Sequence, residues 1–423
     1  FREGDRISLD GSTGEVFLGA VPKVEVRFED QDELRQVLAW ADRVRRLQVW
    51  TNADKPEEAA LARRYGAQGI GLCRTEHMFR EGERLEIVRD AILVAFEATR
   101  AKARRDAGVE LAPAEQSAVD RFDAAMSKLE ALQEGDFRGI FEAMSGLPVV
   151  IRLIDPPLHE FLPNHEELLV GVTRAEDRGT AADDPQFVRQ RELLAAVERL
   201  REQNPMLGLR GCRLGLLIPD FVRIQTRAIL FAAIKERQAG RDPRAEIMIP
   251  LVGTLSELAE TRRILEAEAR DLQEAAGAEV DYQFGTMIEV PRGALTADEI
   301  ATQAEFFSFG TNDLTQMTYG FSRDDAERTF LLDYVERKIL PFNPFQTLDT
   351  VGVGQLMRMA VQKGRLTRPE LTIGICGEHG GDPASIAFCD EIGLDYVSCS
   401  PYRVPVARLA AAQAAIAHGG DGS

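Results

Sequence analysis

From residue 47 onward, short apolar runs rich in β-forming residues alternate with stretches whose apolar residues recur at three- and four-residue spacing. The runs are Leu47–Trp50, Gly69–Cys73, Val149–Ile154, Leu207–Leu214, Ile247–Val252, Phe284–Val290, Phe306–Gly310 and Thr372–Cys376, eight in all. The first stretch between runs is punctuated as a helix. Asp54 can cap it, Pro56 sits in its first turn, Glu57 and Glu58 favour its positive end, and Gly66 stops it. After the fifth run, Thr254-Leu255-Ser256-Glu257 has the form of a capping box. Eight strands alternating with helices predict an α/β protein built as a closed (β/α)8 TIM barrel, with an open doubly wound sheet as the alternative of similar content. Two long excursions, 78–148 and 156–206, read as helical insertions.

Ahead of the barrel, residues 5–22 alternate apolar and polar positions around Asp10-Gly11 and Thr13-Gly14, which is hairpin chemistry. Leu34, Val37, Leu38, Ala41, Val44 and Leu47 then mark a helix. The expected division is a hairpin over 1–22, a linker helix over 23–46, the barrel over 47–412 and a flexible tail over 413–423. The chain begins with Phe1, not Met, which points to a longer parent or a processed precursor.

Composition narrows the function. A hydrophobic share of 44% over 423 residues is enough for a sizeable core. No apolar run approaches bilayer-crossing length, and the first residues carry no signal-peptide pattern. A net charge of −18 without a basic stripe argues against nucleic acid as a partner, and there is no membrane signal. An anionic substrate would need a local arginine cluster working against that field. Cys73, Cys212, Cys376, Cys389 and Cys399 form no CxxC pair and are odd in number, so reduced thiols in a cytoplasmic compartment are expected.

In barrel enzymes the reacting side chains lie at the C-terminal ends of several strands. Those ends here read Cys73-Arg74-Thr75-Glu76, Arg152-Leu153-Ile154-Asp155, Arg210 and Arg213 in the fourth run, Met287-Ile288-Glu289, Gly310-Thr311-Asn312-Asp313, and Cys376-Gly377-Glu378-His379. The arginine fork matches carboxylate and phosphate oxygens. Two converging carboxylates suit Mg²⁺, which keeps positions for substrate oxygens and water. Together they would hold a small phospho-carboxylate. Singly, each residue has a plainer explanation. The arginines could pair with Asp155 or Glu76, Glu289 could be an end-of-strand structural acid, Asn312-Asp313 could cap a helix, and Cys376 could be a small buried hydrophobe. Their coincidence at successive strand ends is what favours a site.

The segments Gly71–Phe79, Ile151–Phe161, Asn204–Gly215, Met287–Arg292, Phe307–Gln316 and Gly374–Asp382 resemble the phosphoenolpyruvate-utilising barrel family over about residues 30–410. Within that family, Cys73-Arg-Thr-Glu-His-Met-Phe79, Asp155-Pro-Pro-Leu-His-Glu-Phe161, Thr318-Tyr-Gly-Phe-Ser-Arg-Asp-Asp325 and Cys376-Gly-Glu-His-Gly-Gly381 resemble the pyruvate phosphate dikinase branch. Phosphoenolpyruvate synthase, enzyme I of the sugar phosphotransferase system, or a non-catalytic phosphoenolpyruvate-binding scaffold are the alternatives. An aldolase-like lyase fits less well, because enolate chemistry alone needs fewer cations.

The resemblance implies reversible phosphoryl transfer between a phosphohistidine and pyruvate enolate. The carrier histidine would lie on a swivelling domain, of which residues 1–22 resemble only the last hairpin, and an ATP-grasp domain would charge it. No carrier-histidine motif occurs in the chain. It implies Mg²⁺ on Glu289 and Asp313, and Arg74 and Arg152 on the phosphoryl and enolate oxygens, with Arg210 and Arg323 in support. Gly310, Thr311 and Asn312 would orient the substrate carboxylate, and Cys376 would act as acid/base at the methyl carbon. His77, His159 and His379 would be supporting residues. A homodimer through the barrel is implied as well.

Overall fold

The computed structural model describes residues 2–10, 13–22, 28–80 and 82–419. Strands β1 (Ile7–Leu9) and β2 (Val16–Leu18) form the expected antiparallel hairpin, with Ile7 opposite Leu18. Gly11, assigned to its turn, lies outside the described residues. The hairpin leaves Leu9 and Leu18 exposed. A helix follows over Asp32–Val44 and buries Leu38 and Ala41.

Eight parallel strands close the barrel: β3 (Gln48–Asn52), β4 (Ile70–Arg74), β5 (Pro148–Arg152), β6 (Arg244–Ile249), β7 (Tyr282–Ile288), β8 (Phe306–Gly310), β9 (Thr372–Cys376) and β10 (Tyr396–Cys399). Each pairs with the next, and β10 returns to β3 through Val397 opposite Val49. Seven of the eight runs read from sequence are these strands, displaced by up to three residues at their ends.

The run Leu207–Leu214 is not a strand. It is a 3-10 turn over Pro205–Leu207, a bend, and a helix over Gly211–Leu217. The run contains leucines but no β-branched residue, and Gly211 adopts a left-handed φ of 56°, which breaks any extended register. The eighth strand is β10, near the C-terminus, which the sequence reading passed over. Asp54 does not cap the first crossover helix, Pro56–Arg64. Lys55 holds that position, and the Asp54 carboxylate turns to Arg74 and His77. Thr254 and Glu257 do form the reciprocal capping box on helix Leu255–Ala276. The first excursion is a pair of long helices, Arg84–Asp106 and Pro113–Ala143. The second contains His165–Asp177 and Pro185–Leu200.

The barrel interior is filled by Trp50, Leu72, Val150, Met248, Met287, Phe306, Cys376 and Tyr396, one from each strand. Trp50 and Tyr396 stack with centroids 3.8 Å apart. Gly374 makes room for this layer, since a Cβ there would fall on Cζ of the Tyr396 ring. The larger core lies outside the barrel, between strands and helices.

Candidate active site

Parallel pairing brings the ends of β4 to β9 to one mouth. Arg152 closes β5 with its guanidinium between two acids: Nη2 meets Glu76, and Nη1 lies 2.9 Å from Asp155 Oδ2. Asp155 Oδ2 also receives Nη2 of Arg210 at 2.7 Å, and Arg210 Nη1 continues to Asp313 Oδ1 at 3.1 Å. The chain Glu76–Arg152–Asp155–Arg210–Asp313 is therefore one buried network of alternating sign. Arg210 reaches it from the N-cap of helix Gly211–Leu217, not from a strand.

Asp313 sits in the first turn of helix Thr311–Tyr319, but its carboxylate goes to Arg210 and leaves capping aside. Glu289 follows β7 and is 1% exposed. Its Oε1 accepts the Leu251 amide at 2.6 Å, and Leu251 holds a left-handed φ of 62° to deliver it. Gly310 lies against this carboxylate so closely that a Cβ would collide with Glu289 Oε2. Cys376 ends β9 with Ser308 Oγ 3.2 Å from its sulfur.

The remaining predicted residues lie around this centre. Arg74 is at the rim, held to Asp54 through its amide (2.7 Å) and Nη2 (3.0 Å). Arg323 donates to Asn312 Oδ1 (3.2 Å) and to Glu378 (2.8 Å), a second rim pair. Thr311 pairs with Nδ1 of His379, whose Nε2 meets the Pro344 carbonyl at 2.9 Å. The hydroxyl therefore donates to Nδ1 and the ring carries its proton on Nε2. His77 braces Asp54 at 2.7 Å.

Burial and charge divide the ionisable groups. Burial raises Asp155, but the charges of Arg152 and Arg210 outweigh it and hold its carboxyl below the ordinary range. Burial likewise opposes ionisation of Asp54, and His77 and Arg74 overcome it. Glu289 has no such rescue. Burial, then the neighbouring Asp313 and Asp155, push it up to about 8. Burial raises Asp313 too, only partly offset by Arg210. Burial carries the Cys376 thiol up to about 11, against the Ser308 hydrogen bond and the Arg152 charge.

Five buried atoms in and beside this network have no hydrogen-bond partner among the described residues: Arg152 Nε, Arg210 Nε, Glu76 Oε2, Asp155 Oδ1 and Glu289 Oε2. Buried polar atoms are rarely left this way, and donors and acceptors orphaned together mark a place completed by a ligand. An anion suits the two guanidinium nitrogens and a cation suits the carboxylate oxygens. Among the described residues no cluster of three acidic, His or Cys side chains is arranged to hold a metal. Mg²⁺ commonly takes only one or two carboxylates, so the Glu289–Asp313 pair fits it.

Ser308 and Tyr396 lie beside Cys376 or pack into the same barrel layer, and the sequence reading named neither. Ser308 stood inside a recognised segment, but nothing in the sequence singled it out until the fold set it against Cys376. Tyr396 lies on the unrecognised strand, and the short run Tyr396–Cys399 after a helix was the available signal.

The fold is a closed parallel α/β barrel whose mouth holds arginines, buried carboxylates and a thiol. The chain is a member of the PEP-utilising enzyme family: the family model described as "PEP-utilising enzyme, PEP-binding domain" matches residues 29–416. Its relatives include pyruvate, phosphate dikinase 1, chloroplastic, from Arabidopsis thaliana, 49% identical over 98% of this chain and 40% of that protein. Pyruvate, phosphate dikinase from Clostridium symbiosum is 48% identical over 98% of this chain and 44% of that protein. The chain thus spans less than half the length of these relatives. Among solved structures, a citrate lyase from Burkholderia xenovorans LB400 is 15% identical over 63% of this chain and 77% of its own. Its TM-score of 0.31 is too low to carry weight.

Proposed function

We propose that this chain binds phosphoenolpyruvate and pyruvate and carries out the second half-reaction of a pyruvate, phosphate dikinase, moving a phosphoryl group between a phosphohistidine and pyruvate enolate. The observation that supports this most directly is the set of five orphaned atoms, two guanidinium donors beside three carboxylate acceptors, in one buried patch. The strong similarity to two dikinases supports the branch within the family. The phosphohistidine and ATP-grasp domains would be further parts of the full-length protein, with residues 1–22 closing the former. Its exposed apolar side chains suit packing against a neighbouring sheet. The barrel would span 47–412, joined by the 23–46 linker; the flexible tail expected from 413 is instead helix as far as Ala417, where Val404–Ala417 buries Ala414 and Ala415. The full-length protein would be a cytoplasmic homodimer. No helix among the described residues is long and apolar enough to cross a membrane.

Mg²⁺ on Glu289 and Asp313 would supply Lewis-acid stabilisation of the enolate oxygen. The other tasks fall to side chains. Arg152 and Arg210 are fixed by carboxylates on their Nη atoms and present Nε, so their donors stand oriented before charge develops on the substrate. Arg74 and Arg323, at the rim, would meet the incoming phosphoryl group. Gly310 makes room for the Glu289 carboxylate, and Thr311 and Asn312 start the helix against which the substrate carboxylate would rest. Cys376 rests as the neutral thiol, which suits proton donation to the methylene carbon.

Proton exchange tests this reading. With Mg²⁺ in deuterated water, the chain should catalyse loss of the pyruvate methyl proton signal, and Cys376→Ala should abolish it while oxalate binding persists. Exchange that survives in the Ala variant would remove the thiol from the chemistry.

A further inference from the structure

A cavity of about 490 Å³ lies between the two helical excursions and the loops that lead into the mouth. That size suits a small molecule. Phe96 on helix Arg84–Asp106, Leu158 after β5, Leu200 at the end of helix Pro185–Leu200 and Leu209 just before Arg210 give it an apolar floor. None of these four belongs to the charged network of the mouth.

The polar groups around the floor carry both signs. Glu97 and Arg100 stand one turn apart on the same helix, and both face the cavity. Side chains at that spacing commonly pair. Here they do not pair with each other, and neither has a side-chain partner among the described residues. Arg199 and Glu202 face the cavity from the second excursion. Arg199 meets the Leu93 carbonyl at 3.4 Å and Glu202 accepts the Leu209 amide at 2.7 Å, so neither charge is compensated by an opposite one. Glu115 also faces the cavity, but it is paired with Arg104. Two free arginines and two free carboxylates therefore balance. His159 adds a ring nitrogen, Nδ1, that is wholly enclosed and has no hydrogen-bond partner among the described residues. Such an atom marks a place that a ligand can complete.

A ligand matched to this lining is neutral overall, carries both charges close together and has an apolar body. A simple anion, the kind of ligand that suits the mouth, would gain from Arg100 and Arg199 only what it lost to Glu97 and Glu202. We propose that this cavity binds an α-amino acid with an apolar side chain. Its carboxylate would meet Arg100, its ammonium Glu97, and its side chain the floor of Phe96, Leu158, Leu200 and Leu209. Both charges of an amino acid hang on one carbon, so an acid and a base one helical turn apart can meet them together.

The walls of the cavity continue into the mouth. Leu158 lies three residues after Asp155, and Leu209 immediately precedes Arg210. Glu202 fixes the Leu209 amide, and Gly208 gives it room, since a Cβ there would fall on the Glu202 carboxylate. The Gly211 amide then donates to the Asp155 carbonyl at 2.9 Å, which ties the two walls together. A side chain bound between them holds in place the segments that carry Asp155 and Arg210. Occupancy should therefore tighten oxalate at the mouth, and oxalate should tighten the amino acid by the same factor. The cavity is independent of the reading of the mouth, and only this link rests on it.

Calorimetric titration of the chain with L-phenylalanine and L-leucine tests the site. Both should bind with a dissociation constant of about a millimolar or tighter. Phenylpropanoate, which lacks the ammonium, and phenethylamine, which lacks the carboxylate, should each bind about tenfold more weakly. Glu97 and Arg100 are exposed, so Glu97→Gln and Arg100→Gln should keep the wild-type melting temperature. Each should weaken phenylalanine about tenfold, and Arg100→Lys should recover part of the loss. Saturating phenylalanine should tighten oxalate about fivefold. Absence of binding by either amino acid would overturn the site, as would phenylalanine affinity untouched in both Gln variants. Phenylpropanoate binding as tightly as phenylalanine would overturn the zwitterion. Oxalate affinity unchanged by phenylalanine would overturn the link to the mouth. Oxalate that fails to bind at all would count against the reading of the mouth, while the amino-acid titrations would still decide the cavity.

Discussion

Glu289 offers the most direct test of the metal assignment, because its protonation and Mg²⁺ compete for one carboxylate. Burial and the acids Asp313 and Asp155 push it up to about 8, well above its ordinary 4.5. Mg²⁺ requires the ionised form, so binding must expel a proton. At pH 7, about one unit below that value, the proton costs roughly 1.4 kcal/mol of binding free energy. About 1% of the carboxyl is ionised at pH 6 and about half at pH 8, so apparent affinity should rise on the order of 50-fold between them and then level off. The sign follows from the acid's raised value: affinity is lost as pH falls and held above about 8. Calorimetric titration of the chain with MgCl₂ at several pH values, in buffers of different ionisation enthalpy, measures both affinity and proton release. Glu289→Gln should bind weakly with no pH slope from this residue. An affinity constant from pH 6 to 8 with no proton released would refute Glu289 as a ligand.

Arg152→Lys keeps the charge but cannot bridge Glu76 and Asp155 while offering a further donor; phosphoryl transfer in the full-length protein should slow by about 2–4 kcal/mol of activation free energy. Steady-state rates near wild type would make Arg152 a structural ion-pair residue only. Gly374→Ala should force the Tyr396 ring aside and destabilise the chain by about 1–3 kcal/mol, read as a lower urea midpoint. Glu246→Gln should stabilise the chain at pH 8 by up to about 3 kcal/mol, since the folded protein holds the carboxyl near 7 and the unfolded chain near 4.5. That gain should shrink to nothing as pH falls towards 4.5, where the carboxyl is protonated in both states. Equal gains in thermal melts at pH 5 and pH 8 would refute the argument.

Much of this protein was legible in one dimension because its signals are local. A buried parallel strand must be apolar on both faces, so β3–β9 all showed as compact runs between helical periodicities. The capping box at Thr254 and the helix-starting Pro56 needed only neighbouring residues. Arg74, Arg152, Glu289, Asp313 and Cys376 could be named because a barrel puts strand ends to use, and the motifs fell there.

The rest depended on contacts between residues far apart in the chain. Leu207–Leu214 and Tyr396–Cys399 are both short apolar segments, and only closure of β10 onto β3, across 348 positions in the Thr51 hydroxyl bond to the Cys399 carbonyl, decides which is the strand. Asp54 is a competent helix cap in isolation, and it serves Arg74 instead because β3 and β4 lie side by side. The high proton affinity of Glu289 arises from acids 134 and 24 residues away, and its orphaned oxygen from a bend at Leu251. The link from Cys376 to Ser308, and the passage of Tyr396 over Gly374, exist only through the register of three adjacent strands. Sequence determined which residues were available for chemistry. Strand register and burial decided which of them share a proton, a charge or a cavity, because those quantities depend on distance in space and on the exclusion of water.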